Sequence, residues 1–163
     1  MINKIKNNCR PSQTSFSFGA TSAIITILGL ITGLDTLKQS KLSIIAGILV
    51  IALADNISDS LGIHMYQESE CLNGREVWFS TCTNFLIRLL VSLTFVLIVS
   101  FLPIPLMVLC AVTWGLALLA GMSYVIARNR GVNPFQSIFE HLSIAVIVII
   151  ASHFVGRWII HSF

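Results

Sequence analysis

Two aspartates four residues apart, Asp55 and Asp59, stand in a stretch that runs on from an apolar segment. Residues 54–70 follow the apolar residues 42–53 without proline or another helix stop, so one helix enters a hydrophobic phase and leaves it loaded with polar groups. At that spacing Asp55 and Asp59 share a face, Gly62 and Tyr66 extend the stripe, and Asn56, Ser60 and His64 make a second polar row beside it. A carboxylate in the hydrocarbon region costs about 2.5–3.5 kcal/mol on insertion scales, and such groups face a bundle interior, a counter-charge or a water-filled path. The stripe therefore points inward, toward a cation or a cargo.

Counting helical rise from the neighbouring loops places Asp55 and Arg88 at matching depth, each on the order of 10–12 Å below the inner boundary. One reading is a structural ion pair, Asp55 with Arg88, that lets both charges be inserted. Asp59 lies about a turn nearer the cytoplasm, has Asn84 as its level neighbour and no cation, and is the candidate for a titrating or metal-holding carboxylate. His64 and Glu68, four apart, can present a nitrogen and a carboxylate to a divalent ion at the cytoplasmic mouth, with Glu70 and the Glu140-His141 pair at similar height. Imidazole plus carboxylate suits Fe²⁺, Mn²⁺ or Zn²⁺; the alternative is a solvated interfacial helix end. His153 and His161 fall toward the other side, alone, and read as packing or interfacial residues. There is no glycine-rich phosphate loop, H-E-x-x-H or G-x-S-x-G pattern, so neither an enzyme nor a bound cofactor is expected and a metal ion would be cargo.

The elements that must hold these residues are membrane spans. Of 163 residues 55% are hydrophobic and only 10% charged, with a mean hydropathy of +0.87, far from the roughly 25% charged residues of soluble domains. The expected fold is all-α, a polytopic five-transmembrane-helix bundle in one domain over residues 1–163, with helices near 16–34, 42–67, 80–102, 106–127 and 138–160. Residues 1–15 form a basic tail with Lys4, Lys6 and Arg10, and no cleaved signal peptide is expected. The first helix is rich in small residues, Gly19, Ser22, Thr26, Gly29 and Gly33, and should sit inside the bundle or at a subunit contact. Residues 71–79 read as a loop, Pro103-Ile104-Pro105 as a tight hairpin turn, and Arg128 to Gly131 as a helix stop.

Five spans put the two ends on opposite sides. Basic residues then favour a cytoplasmic N-terminus, with Lys4, Lys6, Arg10, Arg75, Arg128 and Arg130 inside against Lys38, Lys41 and Arg157 outside. The setting expected is the plasma (inner) membrane of a prokaryote. Basic residues are scattered rather than clustered, which argues against nucleic acid as a partner. Cys9, Cys71, Cys82 and Cys110 show neither zinc spacing nor a disulfide framework.

With these residues in view the chain resembles the vacuolar iron transporter (VIT) family. The likeness is carried by Gly29-Leu30 and Gly33 in the first helix, by Ala46-Gly47, Ile57-Ser58, Gly62 and Ser69-Glu70 in the second, and by the Gly156-containing end of the fifth. The resemblance implies a five-helix homodimer that exchanges Fe²⁺ or Mn²⁺ for protons, with the second helix lining the dimer axis. The chain departs from that family where its ligands stand. The first helix reads Ser17-Phe18-Gly19-Ala20 where the family carries an aspartate, Asp59 takes the place of a methionine, residues 50–52 offer no glutamate, and the acidic cytoplasmic region between helices two and three is missing. What the resemblance then implies is substitution: Asp59 and Asp55 from two copies would surround the axis with up to four carboxylates, a set favouring Mn²⁺, Fe²⁺ or Mg²⁺ over softer ions.

Two functions stay open at this point. One is a secondary transporter moving divalent metal, Fe²⁺ or Mn²⁺, in exchange for protons through Asp59, Asp55, His64, Glu68 and Glu70, since closely spaced carboxylates cannot all remain ionised. The other is a non-transporting structural or regulatory membrane protein of the same fold.

Overall fold

The computed structural model describes residues 11–162, with side chains from Ser15 onward. Lys4, Lys6, Cys9 and Arg10 of the basic tail lie outside the described residues. Among the described residues five helices follow one another: α1 (Pro11–Thr36), α2 (Lys41–Ser69), α3 (Gly74–Phe101), α4 (Ile104–Arg130) and α5 (Pro134–Ser162). All five are long and apolar enough to cross a membrane, and the chain is an integral, multi-pass membrane protein of the all-α class.

Local chemistry sets the boundaries. The Ser40 side chain caps α2 by accepting from the Ser43 amide at 3.1 Å, and Asn73 accepts from the Arg75 amide at 3.4 Å to start α3, each meeting one of the amides a helix start leaves unpaired. Proline opens α1 and α5 and stands beside the start of α4, where its missing N–H costs nothing. Gly131, at φ 69°, closes α4 in the left-handed conformation behind Arg128 and Arg130, whose charges suit a helix C-terminus. The helices outrun the apolar runs that announce them. α3 differs most: residues 74–79, expected as loop, are its first turns, because Asn73 supplies the cap and Val77 turns into the bundle, 1% exposed.

α1 is the hub. It touches each of the other four helices, and 44% of its span is buried inside the bundle against 6% for α5. Ile24, Ile27, Leu28 and Ile31 are fully enclosed and meet Ile44 and Ile48 of α2, Phe95 and Val99 of α3, Met107 and Ala111 of α4 and Ala145 of α5 in one core. Small residues set how closely the helices approach. A Cβ on Gly29 would lie 3.1 Å from Ser152 Oγ, and one on Gly156 would lie 2.9 Å from Thr36 Cβ and 3.1 Å from the Gly33 carbonyl oxygen. Gly29 and Gly33 thus meet Ser152 and Gly156 across α1 and α5, a reciprocal pairing of small residues at four-residue spacing that lets two backbones touch without a driving hydrophobic effect.

Candidate site: a shared guanidinium among three helices

On α3 the buried polar residues recur every fourth position, Ser80, Asn84, Arg88 and Ser92. That spacing keeps them on one face of the helix, and the face looks into the seam between α1 and α2. Ser92 and Arg88 belong to the same ladder, with Ser92 Oγ donating to the Arg88 carbonyl at 2.7 Å. One turn along, Asn84 Nδ2 donates to Ser60 Oγ at 3.0 Å, and Asn56 Nδ2 donates to the Phe85 carbonyl at 2.9 Å. Further on, Gln67 Nε2 donates to Ser80 Oγ at 2.7 Å, and the Ser80 and Ser15 hydroxyls are in contact. A hydrogen-bonded column therefore runs from the α2–α3 end of the bundle to Arg88.

Arg88 is the centre of the column. Its side chain is 2% exposed, and its two terminal nitrogens part: Nη2 pairs with Asp55 Oδ2 and Nη1 with Asp59 Oδ2. Asp59 Oδ2 also accepts from Ser22 Oγ of α1 at 3.0 Å. The expectation that Asp59 has no cation is corrected here. Depth counting places Asp59 a turn away from Arg88, but the guanidinium fork spans that turn and presents one nitrogen to each carboxylate. One positive charge is thus shared by two acids, and the triad keeps one negative charge in excess when both are ionised. The acids are also less enclosed than the cation, with Asp55 39% and Asp59 27% exposed.

Gly19 of α1 makes the arrangement possible. A Cβ there would meet Asn84 Oδ1 at 2.5 Å, the Asn84 carbonyl oxygen at 3.0 Å and Arg88 Cγ at 3.2 Å. Arg88 and Asn84 stand out in the sequence at the heights of Asp55 and Asp59, whereas Ser80 and Ser92 do not, and Gly19 and Ser22 read there only as small packing residues; the four-residue recurrence of polar groups in an apolar helix is the signal that links the row. Among the described residues three buried polar atoms have no partner, Gln67 Oε1, Asn84 Oδ1 and Arg88 Nε, and all three lie on this column.

His64 and Glu68 belong elsewhere. Five residues separate Asp59 from His64, a rotation of about 140°, so His64 faces α3. Its Nδ1 lies 3.0 Å from Thr81 Oγ1, its ring packs edge-on against Trp78 at 4.6 Å, and Nε2 lies 3.4 Å from Glu68 Oε1. Glu70, which caps α2, is eleven residues from Asp59 and returns to its face within about 20°. Glu140 pairs with Gln136 at 3.1 Å, while His141 Nδ1 meets Ser123 Oγ at 2.8 Å. No three His, Cys, Asp or Glu side chains converge as a metal-holding group among the described residues.

On the outward side α2 presents Ser58 and Gly62 next to the acids, both exposed. A Cβ on Gly62 would meet nothing within 4 Å. Scanned against family models, curated proteins and solved structures, the chain finds no match.

Proposed function

We propose that the protein is a homodimeric secondary transporter that exchanges a divalent metal, Mn²⁺ or Fe²⁺, for protons at the Asp55–Arg88–Asp59 triad. The observation that carries this reading is charge: one guanidinium serves two carboxylates that remain partly exposed at mid-helix. Partly exposed carboxylates are costly against lipid, and a second copy laid along the Ser58–Gly62 side of α2 would cover them. Two copies bring four carboxylates and two guanidiniums together, leaving two negative charges, the complement of one divalent cation or of two protons. Oxygen ligands of this kind suit hard cations, and the likeness of α2 to the VIT family points the same way. His64 and Glu68 are not part of this centre; Glu70 remains on its approach.

The triad gives Asp55 and Asp59 the same cation. Replacing either by asparagine leaves the other paired with Arg88, so the bundle keeps its staple while the excess charge is gone. Asp55→Asn and Asp59→Asn are each expected to reach the membrane at wild-type levels and to abolish pH-driven Mn²⁺ uptake into proteoliposomes. Wild-type uptake by either variant would remove the triad as the transport site. Absence of uptake by wild-type protein under gradients of both directions would favour the structural reading, with the triad as an internal staple.

A further inference from the structure

α4 carries unspent charge at its last turn. Arg128 and Arg130 are exposed, and neither pairs with a carboxylate among the described residues. Deeper in the span an exposed stripe continues down the helix through Tyr124, Gly121, Ala117 and Trp114. At 3.6 residues per turn these four and Arg128 fall within an arc of about 80°. We propose that the stripe seats an anionic phospholipid, its phosphate held by Arg128, Arg130 and the Tyr124 hydroxyl and one acyl chain laid over Gly121 and Ala117.

The donors at the head end call for an anion. Arg128 Nη1 donates to the Tyr124 hydroxyl oxygen at 3.1 Å, which uses one of the five N–H groups of the guanidinium. The tyrosine oxygen accepts in that bond, so its own proton is still to be given, and among the described residues nothing takes it. On the neighbouring α5 the Glu140 carboxylate accepts from Gln136 Nε2 at 3.1 Å and makes no ion pair with either arginine. Side-by-side N–H and O–H donors without an acid to meet them suit a phosphate, whose oxygens arginine binds with two parallel bonds.

Depth and length make that phosphate a lipid's. α4 has 27 residues, about 40 Å at helical rise, so its last turn stands at headgroup level outside a hydrocarbon core of about 30 Å. Tyr124 and Trp114 are ten residues apart, about 15 Å, the depth of one leaflet. Between them the helix surface is low: a Cβ on Gly121 would meet nothing within 4 Å, and Ala117 adds a single methyl. Trp114, whose Nε1 donates to Thr94 Oγ1 of α3 at 3.1 Å, marks the deep end. α4 packs on α1, α3 and α5, away from the side of α2 on which the subunit contact is proposed, and the lipid seat stands without the transport reading.

Native mass spectrometry of the full chain in detergent micelles tests it, with phosphatidylglycerol and phosphatidylcholine of identical acyl chains as the probes. Phosphatidylglycerol is expected to be retained well above phosphatidylcholine. Arg128→Gln should lower that retention about fivefold, the effect of one basic residue facing an anionic lipid. Gly121→Leu keeps both charges and should lower it as well, by filling the floor on which the acyl chain lies. Arg157→Gln, an exposed cation at the other end of α5, is the control and should retain phosphatidylglycerol as wild type does. Equal retention of the two lipids, or a loss in Arg157→Gln as large as that in Arg128→Gln, would overturn the site. Wild-type retention by Arg128→Gln would do the same, and wild-type retention by Gly121→Leu would mean that the arginines draw a phosphate with no seat for its chain.

Discussion

α3 and α5 both lie along α1, and they are held there by opposite means. Against α3, the glycine of α1 admits a charge: Gly19 clears the space that Asn84 and Arg88 fill. Against α5, the glycines admit a backbone: Gly29, Gly33 and Gly156 bring two helices into contact through Ser152 and Thr36 with no ion between them. The α5 contact is adhesion by dispersion, which lipid tails can nearly match, so small residues and close approach are what it needs. The α3 contact spends stability on two carboxylates and a guanidinium that a purely structural interface would replace with leucines at little cost. A region that keeps an expensive arrangement beside one that shows the inexpensive solution is where function belongs.

Breaking the charged side should have the largest effect. Arg88→Leu leaves both Asp55 and Asp59 without a cation inside an apolar span, where an uncompensated carboxylate costs about 2.5–3.5 kcal/mol on insertion scales. Folded protein recovered from membranes, read by size-exclusion profile of a fluorescent fusion, should fall sharply. Arg88→Leu with Asp55→Asn should recover only part of the loss because Asp59 is still unpaired, and adding Asp59→Asn should recover most of it. Full recovery by the double variant would mean that Asp59 is not held by Arg88.

Gly19 and Gly62 sharpen the contrast at the next scale. A methyl on Gly19 would collide with the Asn84 backbone as well as its side chain, so Gly19→Ala should cost about 1–3 kcal/mol of thermal stability, the usual toll of overpacking. Gly62→Ala has open space and gains helix propensity of up to about 1 kcal/mol, so it should fold at least as well as wild type. A bulky Gly62→Trp should fold as a monomer and lose self-association; a dimer that survives it would move the subunit contact away from this side of α2.

Ser22→Ala is the smallest of these breaks. It removes one hydrogen bond to a carboxylate already held by Arg88, and the expected loss is about 1.5 kcal/mol, at the low end for bonds to charged groups. A loss as large as that of Arg88→Leu would show that Ser22, rather than the guanidinium, is the principal partner of Asp59.

How much of this was legible in the sequence varies with the kind of information. Span number and the central place of α1 follow from apolar length and small-residue content, which are properties of one helix at a time. Height along a helix was legible too, since residue counting gives rise, and it brought Arg88 level with Asp55. Reach was not. Whether a guanidinium covers one acid or two depends on a side chain bridging a full turn between helices whose relative rotation no single segment encodes. The same gap hid the partner of His153, which reads as solitary because Thr36 is 117 positions away in the sequence. The start of α3 is hidden for a different reason: Asn73, its capping residue, stands inside a polar stretch that has the composition of a loop.

The central claim is that one shared guanidinium per subunit leaves a dimer two negative charges that metal and protons take in turn. The proton-to-metal ratio tests it most directly. Proteoliposomes loaded with a pH dye and given external Mn²⁺ should move two protons outward for each Mn²⁺ taken up, with uptake unaffected when the membrane potential is clamped, because the exchange is electroneutral. Mn²⁺ uptake without proton release, or a rate that follows the potential, would contradict the account.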